Sequence, residues 1–238
     1  DTVVAQPALG VIEIALTHAL ERMGVRPDMT AGHSYGEYAA LAAAGVISDR
    51  ALFDLSEARG RAIKDTTHDE AGTMAAVSAD AEAITTALAG MEGITLANHN
   101  SPRQTVISGA TAVVHAAIER LKAAGLAARL IPVACAFHSP LMEPARSHFG
   151  QVLTRQVFAK AAATVFSNTL GDRYPEDPKE IAALLESHLV RPVKFVDQVR
   201  AMHDQGARVF VEVGPKGVLT GLARQILEGK DARFIQID

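Results

Sequence analysis

The chain has 238 residues, 48% of them hydrophobic and 21% charged, which is ordinary globular composition with room for one sizeable core or a core plus a small subdomain. A net charge of −4 gives no electrostatic footprint for nucleic acid or for an anionic membrane surface. The single cysteine, Cys135, excludes an internal disulfide framework and points to a reducing, cytoplasmic setting. Charges, glycines or histidines interrupt every apolar run, so none reads as long as a membrane span. The opening Asp1-Thr-Val-Val-Ala-Gln-Pro7 has neither an initiator methionine nor a basic signal region, and reads as the start of a piece of something longer.

From residue 7 to 23 the apolar Leu9, Ile12, Leu16, Ala19, Leu20 and Met23 fall on one helical face, with Pro7 suited to the first turn and Gly24 to the cap. A short strand at 29–31 runs into Gly32-His33-Ser34-Tyr35-Gly36, followed by an alanine-rich helix over 37–44 and a second helix over 49–64. Residues 72–133 then read as strand, helix, strand, a turn at Asn100-Ser-Pro-Arg103, strand, helix and strand. That βαββαβ order is ferredoxin-like, two βαβ halves sharing one sheet with both helices on one side. Beyond it come a helix near 144–157, a strand near 163–167, a polar loop over 171–179, helices over 179–189 and 193–203, a strand over 208–213 and a closing helix over 218–227. Alternating short strands and helices predict an α/β core made of residues 1–71 and 134–238, with 72–133 as an inserted ferredoxin-like subdomain.

The sharpest chemical signal is Gly32-His33-Ser34-Tyr35-Gly36. Glycines flanking a serine permit a tight strand-to-helix turn that holds the hydroxyl clear of the backbone. The helix that follows aims its N-terminal N–H groups at the site, with the Tyr35 N–H as the natural oxyanion donor. The competing reading is a serine that caps an ordinary helix. A serine nucleophile needs a base, and nine histidines compete. His18 and His115 lie on amphipathic helices, and His68 and His148 lie in polar surroundings. His33 adjoins the serine, but neighbouring side chains diverge around a tight turn. His138 stands out, because Ala136-Phe137-His138-Ser139-Pro140 lies where the inserted segment rejoins the core, and clefts form between domains. A histidine simply satisfied at that junction is the alternative. Arg59 and Arg61 share a helix behind the turn; either guanidinium could grip a carboxylate, and spacing does not choose between them. No metal-ligand spacing and no G-x-G-x-x-G turn is present.

Several stretches together resemble the malonyl-CoA:acyl carrier protein transacylase family, including the acyltransferase domains of type I polyketide and fatty acid synthases. They are Gln6-Pro-Ala-Leu9, Gly32-His-Ser-Tyr-Gly-Glu37, Arg59-Gly-Arg61, Asn98-His-Asn-Ser-Pro-Arg-Gln104, Ala136-Phe-His-Ser-Pro-Leu-Met142, Arg191-Pro-Val193 and Glu212-Val-Gly-Pro215, and they run in family order along nearly the whole chain. The resemblance implies an α/β hydrolase-like core with the ferredoxin-like insertion. It implies Ser34 as nucleophile, His138 as base and Arg59 as the partner of a malonyl carboxylate. His188 falls where relatives place a polar residue that orients the base, and His33, Tyr35, Asn100 and Phe137 complete the implied substrate-binding set. The implied reaction moves a malonyl-type unit from coenzyme A to the phosphopantetheine thiol of an acyl carrier protein, with no resident cofactor or metal. Ala136-Phe137-His138 is similar to the malonyl-selective form; relatives that accept methylmalonyl carry serine where Phe137 stands.

Two departures stand out. The family's N-terminal Gly-Gln-Gly, whose glutamine helps form the oxyanion hole, is not in the sequence. Tyr35 is bulkier than usual, a form similar to iterative enediyne and polyunsaturated fatty acid synthases. Two other readings fit the same residues. One is an α/β-hydrolase or thioesterase, with Asp172 or Asp177 serving His188 or His203. The other is a non-catalytic domain that docks a carrier.

Overall fold

A computed structural model describes residues 2–66 and 71–237. In chain order the elements are α1 (Thr2–Arg22), β1 (Met29–Ala31), α2 (Gly36–Ala43), α3 (Asp49–Thr66), β2 (Thr73–Val77), α4 (Ala81–Ala87), β3 (Ile94–Ser101), β4 (Gln104–Gly109), α5 (Thr111–Ala123) and β5 (Ala128–Ile131). A 3-10 turn at Pro140–Met142 leads to α6 (Glu143–Leu153), β6 (Thr164–Ser167), β7 (Asp172–Arg173), α7 (Pro178–Ser187), α8 (Phe195–Asp204), β8 (Val209–Val213), α9 (Val218–Ile226) and β9 (Arg233–Ile237).

The α/β class and the βαββαβ insertion are as read from the sequence. The inserted sheet has the order β3-β4-β2-β5 and is antiparallel throughout, so β2 and β4 lie at its centre. Side chains alternate across it, as the two-residue period of a strand requires. Ala75, Val77 and Ile107 face α4 and α5, where Ile84, Val114 and Leu121 close a small core. Met74 and Val106 face the other way, toward Phe137. Each fully buried aliphatic side chain contributes about 1.5–3 kcal/mol, enough to give the insertion a core of its own.

In the larger part β1 pairs in parallel with β6, β7 adds antiparallel, and β8 and β9 form a separate parallel pair. The main core lies between α1, α2, α3, α6 and α7. Helix α3 buries Leu52, Leu55, Ala62 and Ile63 at helical spacing, with Asp49 in its first turn and Lys64 in its last to complement the helix dipole. The two parts are stitched by backbone. The His99 N–H donates to the Val193 carbonyl and the Val193 N–H to the Ala97 carbonyl, both at 2.8 Å, so β3 gains a one-residue partner from the core.

The structure corrects several sequence boundaries. Helix α1 begins at Thr2, which leaves Pro7 inside it rather than in its first turn. Close packing outweighs the cost of that proline: a Cβ at Gly60 would lie 2.9 Å from the Val3 Cα, so α1 approaches α3 where only glycine fits. With Glu13 the only charge before its final residues, this 21-residue helix is also long and apolar enough to cross a bilayer by length and composition, contrary to the reading that no run approaches a span. Here it buries Gln6, Gly10 and Ile14 against the core. Asn100 stands in β3, not in a turn, because bulges after Leu96 and His99 carry the strand on to Ser101. The polar loop contains β7, and α6 ends at Leu153. Strand β9 escaped the sequence reading: it is half exposed, and only its pairing with β8 makes it a strand.

Candidate active site

Strand β1 ends at Ala31, and the next four residues turn sharply into α2. Gly32 is required there, because a Cβ would collide with the Gly36 carbonyl; at Gly36 itself a Cβ meets only open space. The spacing of two glycines thus has one steric cause, not two. Ser34 adopts φ 52°, the left-handed region that non-glycine residues rarely occupy and that marks strained functional turns. The Gly36 N–H donates to the His33 carbonyl and the Glu37 N–H to the Ser34 carbonyl, closing the turn. The Tyr35 N–H meets no acceptor among the described residues and sits at the N-terminus of α2, where the helix dipole favours negative charge. The Tyr35 ring points away into the core: its hydroxyl lies 2.6 Å from Ser56 Oγ, and its bulk is accommodated because Gly10 has no side chain.

The structure brings Ser34 and His138 together. Ser34 Oγ lies 2.8 Å from His138 Nε2, across 104 residues of sequence. His138 also has a left-handed backbone, φ 56°, and is 2% exposed. Its Nδ1 lies 3.0 Å from the His188 carbonyl and 3.0 Å from the Arg191 carbonyl. Two acceptors at one nitrogen place the proton on Nδ1 and leave the Nε2 lone pair facing the serine. Burial, then the Arg59 guanidinium, then His33 push the His138 pKa down to about 3 from the usual 6.5, so the ring is neutral at working pH.

His188 departs from its expected part. The contact with His138 is made by its main-chain oxygen, not its ring. The ring is fully buried, stands edge-on to His138 with centroids 5.3 Å apart, and has no hydrogen-bond partner for either nitrogen among the described residues. Glu37 Oε2 lies 3.4 Å from Nε2 without hydrogen-bond alignment. Burial holds the His188 pKa well below its ordinary value, so this ring too is neutral.

Arg59 and Arg61 are now distinguished. Arg61 is exposed and pairs with Glu57 at 2.5 Å. Arg59 is 1% exposed, its guanidinium lies 5.7 Å from the Tyr38 ring centre, and its Nε and Nη2 meet no acceptor among the described residues. A buried cation with unmatched donors is costly, and it is a ready receptor for an anion. Its charge reaches His138, whose protonation it opposes.

His33 Nε2 lies 2.7 Å from Asn100 Oδ1, and Asn100 Nδ2 donates to Gln104 Oε1, so these two residues link the serine turn to β3. Burial lowers the His33 pKa, and the ring rests edge-on against Phe195. Phe137 is half-buried and touches both the main core and the outer face of the inserted sheet. Other histidines stand apart: His18 bonds exposed Glu21 and Asp49, His115 and His148 are exposed, and His68 lies outside the described residues. Neither acid of the hydrolase reading joins a histidine. Asp177 caps α7, and Asp172 accepts from the Arg173 N–H and from Gln205.

Sequence reasoning missed Asn168 and Glu37. The Ser34 N–H donates to Asn168 Oδ1 at 2.5 Å, and fully buried Glu37 accepts from the Asn168 N–H and from the Tyr174 hydroxyl. Burial pushes the Glu37 pKa up to about 7. The available signal was Ser167-Asn168-Thr169, a polar run just after a buried strand. It becomes meaningful only once Ala31 is known to pair with Phe166, which places the two strand ends side by side.

Residues 1–236 match the family described as acyl transferase domain. A polyunsaturated fatty acid synthase subunit of Thraustochytrium sp. is 42% identical over 228 residues, covering 93% of this chain and 8% of that protein. The malonyl CoA-acyl carrier protein transacylase of Bacillus subtilis is 38% identical over 229 residues, 93% of this chain and 72% of that protein. Among solved structures, a malonyl-transacylase in complex with a type II polyketide synthase acyl carrier protein superposes with a TM-score of 0.92 at 31% identity, covering 99% of this chain and 77% of that one. The chain thus spans a small fraction of the synthase subunit and about 72% of the transacylase.

Proposed function

The chain belongs to the acyl transferase domain family, and from that membership we propose that it carries a malonyl unit from coenzyme A, through Ser34, to the thiol of an acyl carrier protein. The observation that carries the reading is the Ser34 Oγ to His138 Nε2 approach of 2.8 Å beside a buried, unmatched Arg59. In the first half-reaction His138 Nε2 takes the Ser34 proton while Oγ bonds to the thioester carbon, and the Tyr35 N–H receives the charge that develops on oxygen. The C–S bond then breaks, and the proton passes from His138 to the departing coenzyme A sulfur. In the second half the pantetheine thiol gives its proton to His138 and attacks the acyl carbon, and Ser34 Oγ leaves with that proton. His33 and Asn100 line the approach on the side of the insertion. His188 and Arg191 act through their carbonyls, which fix the tautomer of the base. No resident cofactor enters the cycle, and the lone buried Cys135 fits a cytoplasmic setting.

Hydrolysis and carrier docking without chemistry are the rival readings. Incubation with malonyl-CoA, with and without holo carrier, separates them by intact mass. Acyl transfer leaves a malonyl group on Ser34 that moves to the carrier. A hydrolase releases free malonate without the carrier, and a docking domain gains no mass.

Two expectations arise here. The first concerns pH. With His138 held down to about 3, it stays unprotonated as pH falls through its ordinary 6.5, so kcat/KM should show no histidine limb above about pH 5. A bound carboxylate neutralises Arg59, the second cause of that depression, so the acid limb of kcat should lie above that of kcat/KM. Paired pH–rate profiles check it; a kcat/KM limb near 6.5 would contradict it. The second concerns selectivity. In competition among malonyl, methylmalonyl and acetyl thioesters, malonyl should win, because Arg59 needs a carboxylate and the Phe137 ring fills the space of an added methyl. Phe137→Ser should raise methylmalonyl relative to malonyl by about 10–200-fold at most, the range one methyl commands in a pocket. Arg59→Ala should raise acetyl relative to malonyl. Acetyl winning on the unsubstituted chain would point to a starter-unit transferase.

A further inference from the structure

We propose that Asn168 is a positioning residue whose side-chain amide locks Ser34 in its left-handed conformation and so aims Oγ at His138. The proposal rests on Ser34 being the nucleophile. Asn168 follows β6, the parallel neighbour of the strand that ends in the nucleophile turn, and it is fully buried. Its Oδ1 accepts the Ser34 N–H at 2.5 Å, while its Nδ2 donates both to the Gly32 carbonyl at 2.5 Å and to Gln198 Oε1 at 2.8 Å. One amide therefore grips the turn on both sides of His33. The amide cannot flip, because Gln198 is itself oriented by its Nε2 donating to the Phe166 carbonyl at 3.0 Å, leaving only an acceptor for Asn168. Below, the Asn168 N–H is held by the buried Glu37 carboxyl group, which the Tyr174 hydroxyl also holds at 3.1 Å.

The clamp does what the turn needs. A left-handed serine is strained, and strained conformations persist only where their surroundings over-determine them. It also assigns the two N–H groups of the turn. Asn168 occupies the Ser34 N–H, so the Tyr35 N–H alone remains for the oxyanion. Asn168 touches no reacting atom; its effect is the placement of Oγ.

The test is the rate at which a small fluorophosphonate modifies Ser34 with loss of fluoride, read by intact mass on the folded full chain. This probe carries no carboxylate, so Arg59 and substrate binding are bypassed. Asn168→Ala should slow labelling by about 10–100-fold, the usual cost of a nucleophile misplaced by about 1 Å. With malonyl-CoA the loss should fall on kcat and spare KM. Asn168→Asp keeps the shape but sets a charged oxygen against Gly32 and Gln198. Once protonated, its carboxyl group can donate to the Gly32 carbonyl and still accept the Ser34 N–H. Its rate relative to the unsubstituted chain should therefore recover as pH falls from about 8 to about 5, a window a buried carboxyl group titrates in. Asn168→Ala should stay slow throughout, and the aspartate series stands alone if the alanine variant does not fold. Labelling of Asn168→Ala at the parent rate, or a pH-independent ratio for Asn168→Asp, overturns the proposal. No labelling of Ser34 in the parent chain overturns the nucleophile reading, and the positioning role falls with it.

Discussion

Ser34→Ala should leave no acyl group on the protein after exposure to malonyl-CoA, with transfer to a carrier reduced roughly 10⁶-fold or below detection. The reason is covalent: in the proposed cycle Ser34 Oγ is the atom that carries the acyl group between the two thiols. The fold should survive the change. The clamp on the turn runs through the Ser34 N–H, which alanine keeps, and alanine meets the same left-handed strain as serine. Intact mass reads the loading and a thermal melt reads the fold. A malonyl adduct on Ser34→Ala at the parent rate would place the nucleophile elsewhere.

The second large effect is at His138. His138→Ala should slow acyl loading by about 10²–10⁴-fold, the usual contribution of a general base. His188→Gln should lose far less, because the contact with His138 is a main-chain carbonyl that any residue supplies. The pair of variants distinguishes a base from its support. Equal losses at both positions would mean that the His188 ring, not its carbonyl, sets the geometry. A large loss at His33 with none at His138 would reverse the assignment of the base, which the 2.8 Å approach of Nε2 to Ser34 makes the less expected outcome.

How far the sequence could be read follows from what each contact is made of. Ser34 was legible because a tight turn demands glycine at a fixed offset, and Gly32 is one that no side chain could replace. His138 was legible from its place at the end of the insertion. The insertion was legible because two-residue and helical periods alternate cleanly through 72–133. The support of His138 was not, since main-chain carbonyls at His188 and Arg191 leave no mark in side-chain identity. Nor was Asn168, whose bond to Ser34 spans 134 residues and depends on the parallel pairing of β1 with β6. The choice between Arg59 and Arg61 needed burial, because two positions on one helix turn differ only in which way the helix is rotated. Strand β9 and the start of α1 were set by packing partners that local propensity does not register.

Ser34 and His138 both stand in a backbone region that glycine and asparagine tolerate best. Left-handed residues of this kind cost of order 1–3 kcal/mol each, a sizeable part of the margin by which a domain stays folded. Selection for thermal endurance alone would therefore drift both positions toward glycine or asparagine. A lineage that no longer needed the chemistry should lose its serine and histidine there first, while Gly32 and the buried amides around it remained.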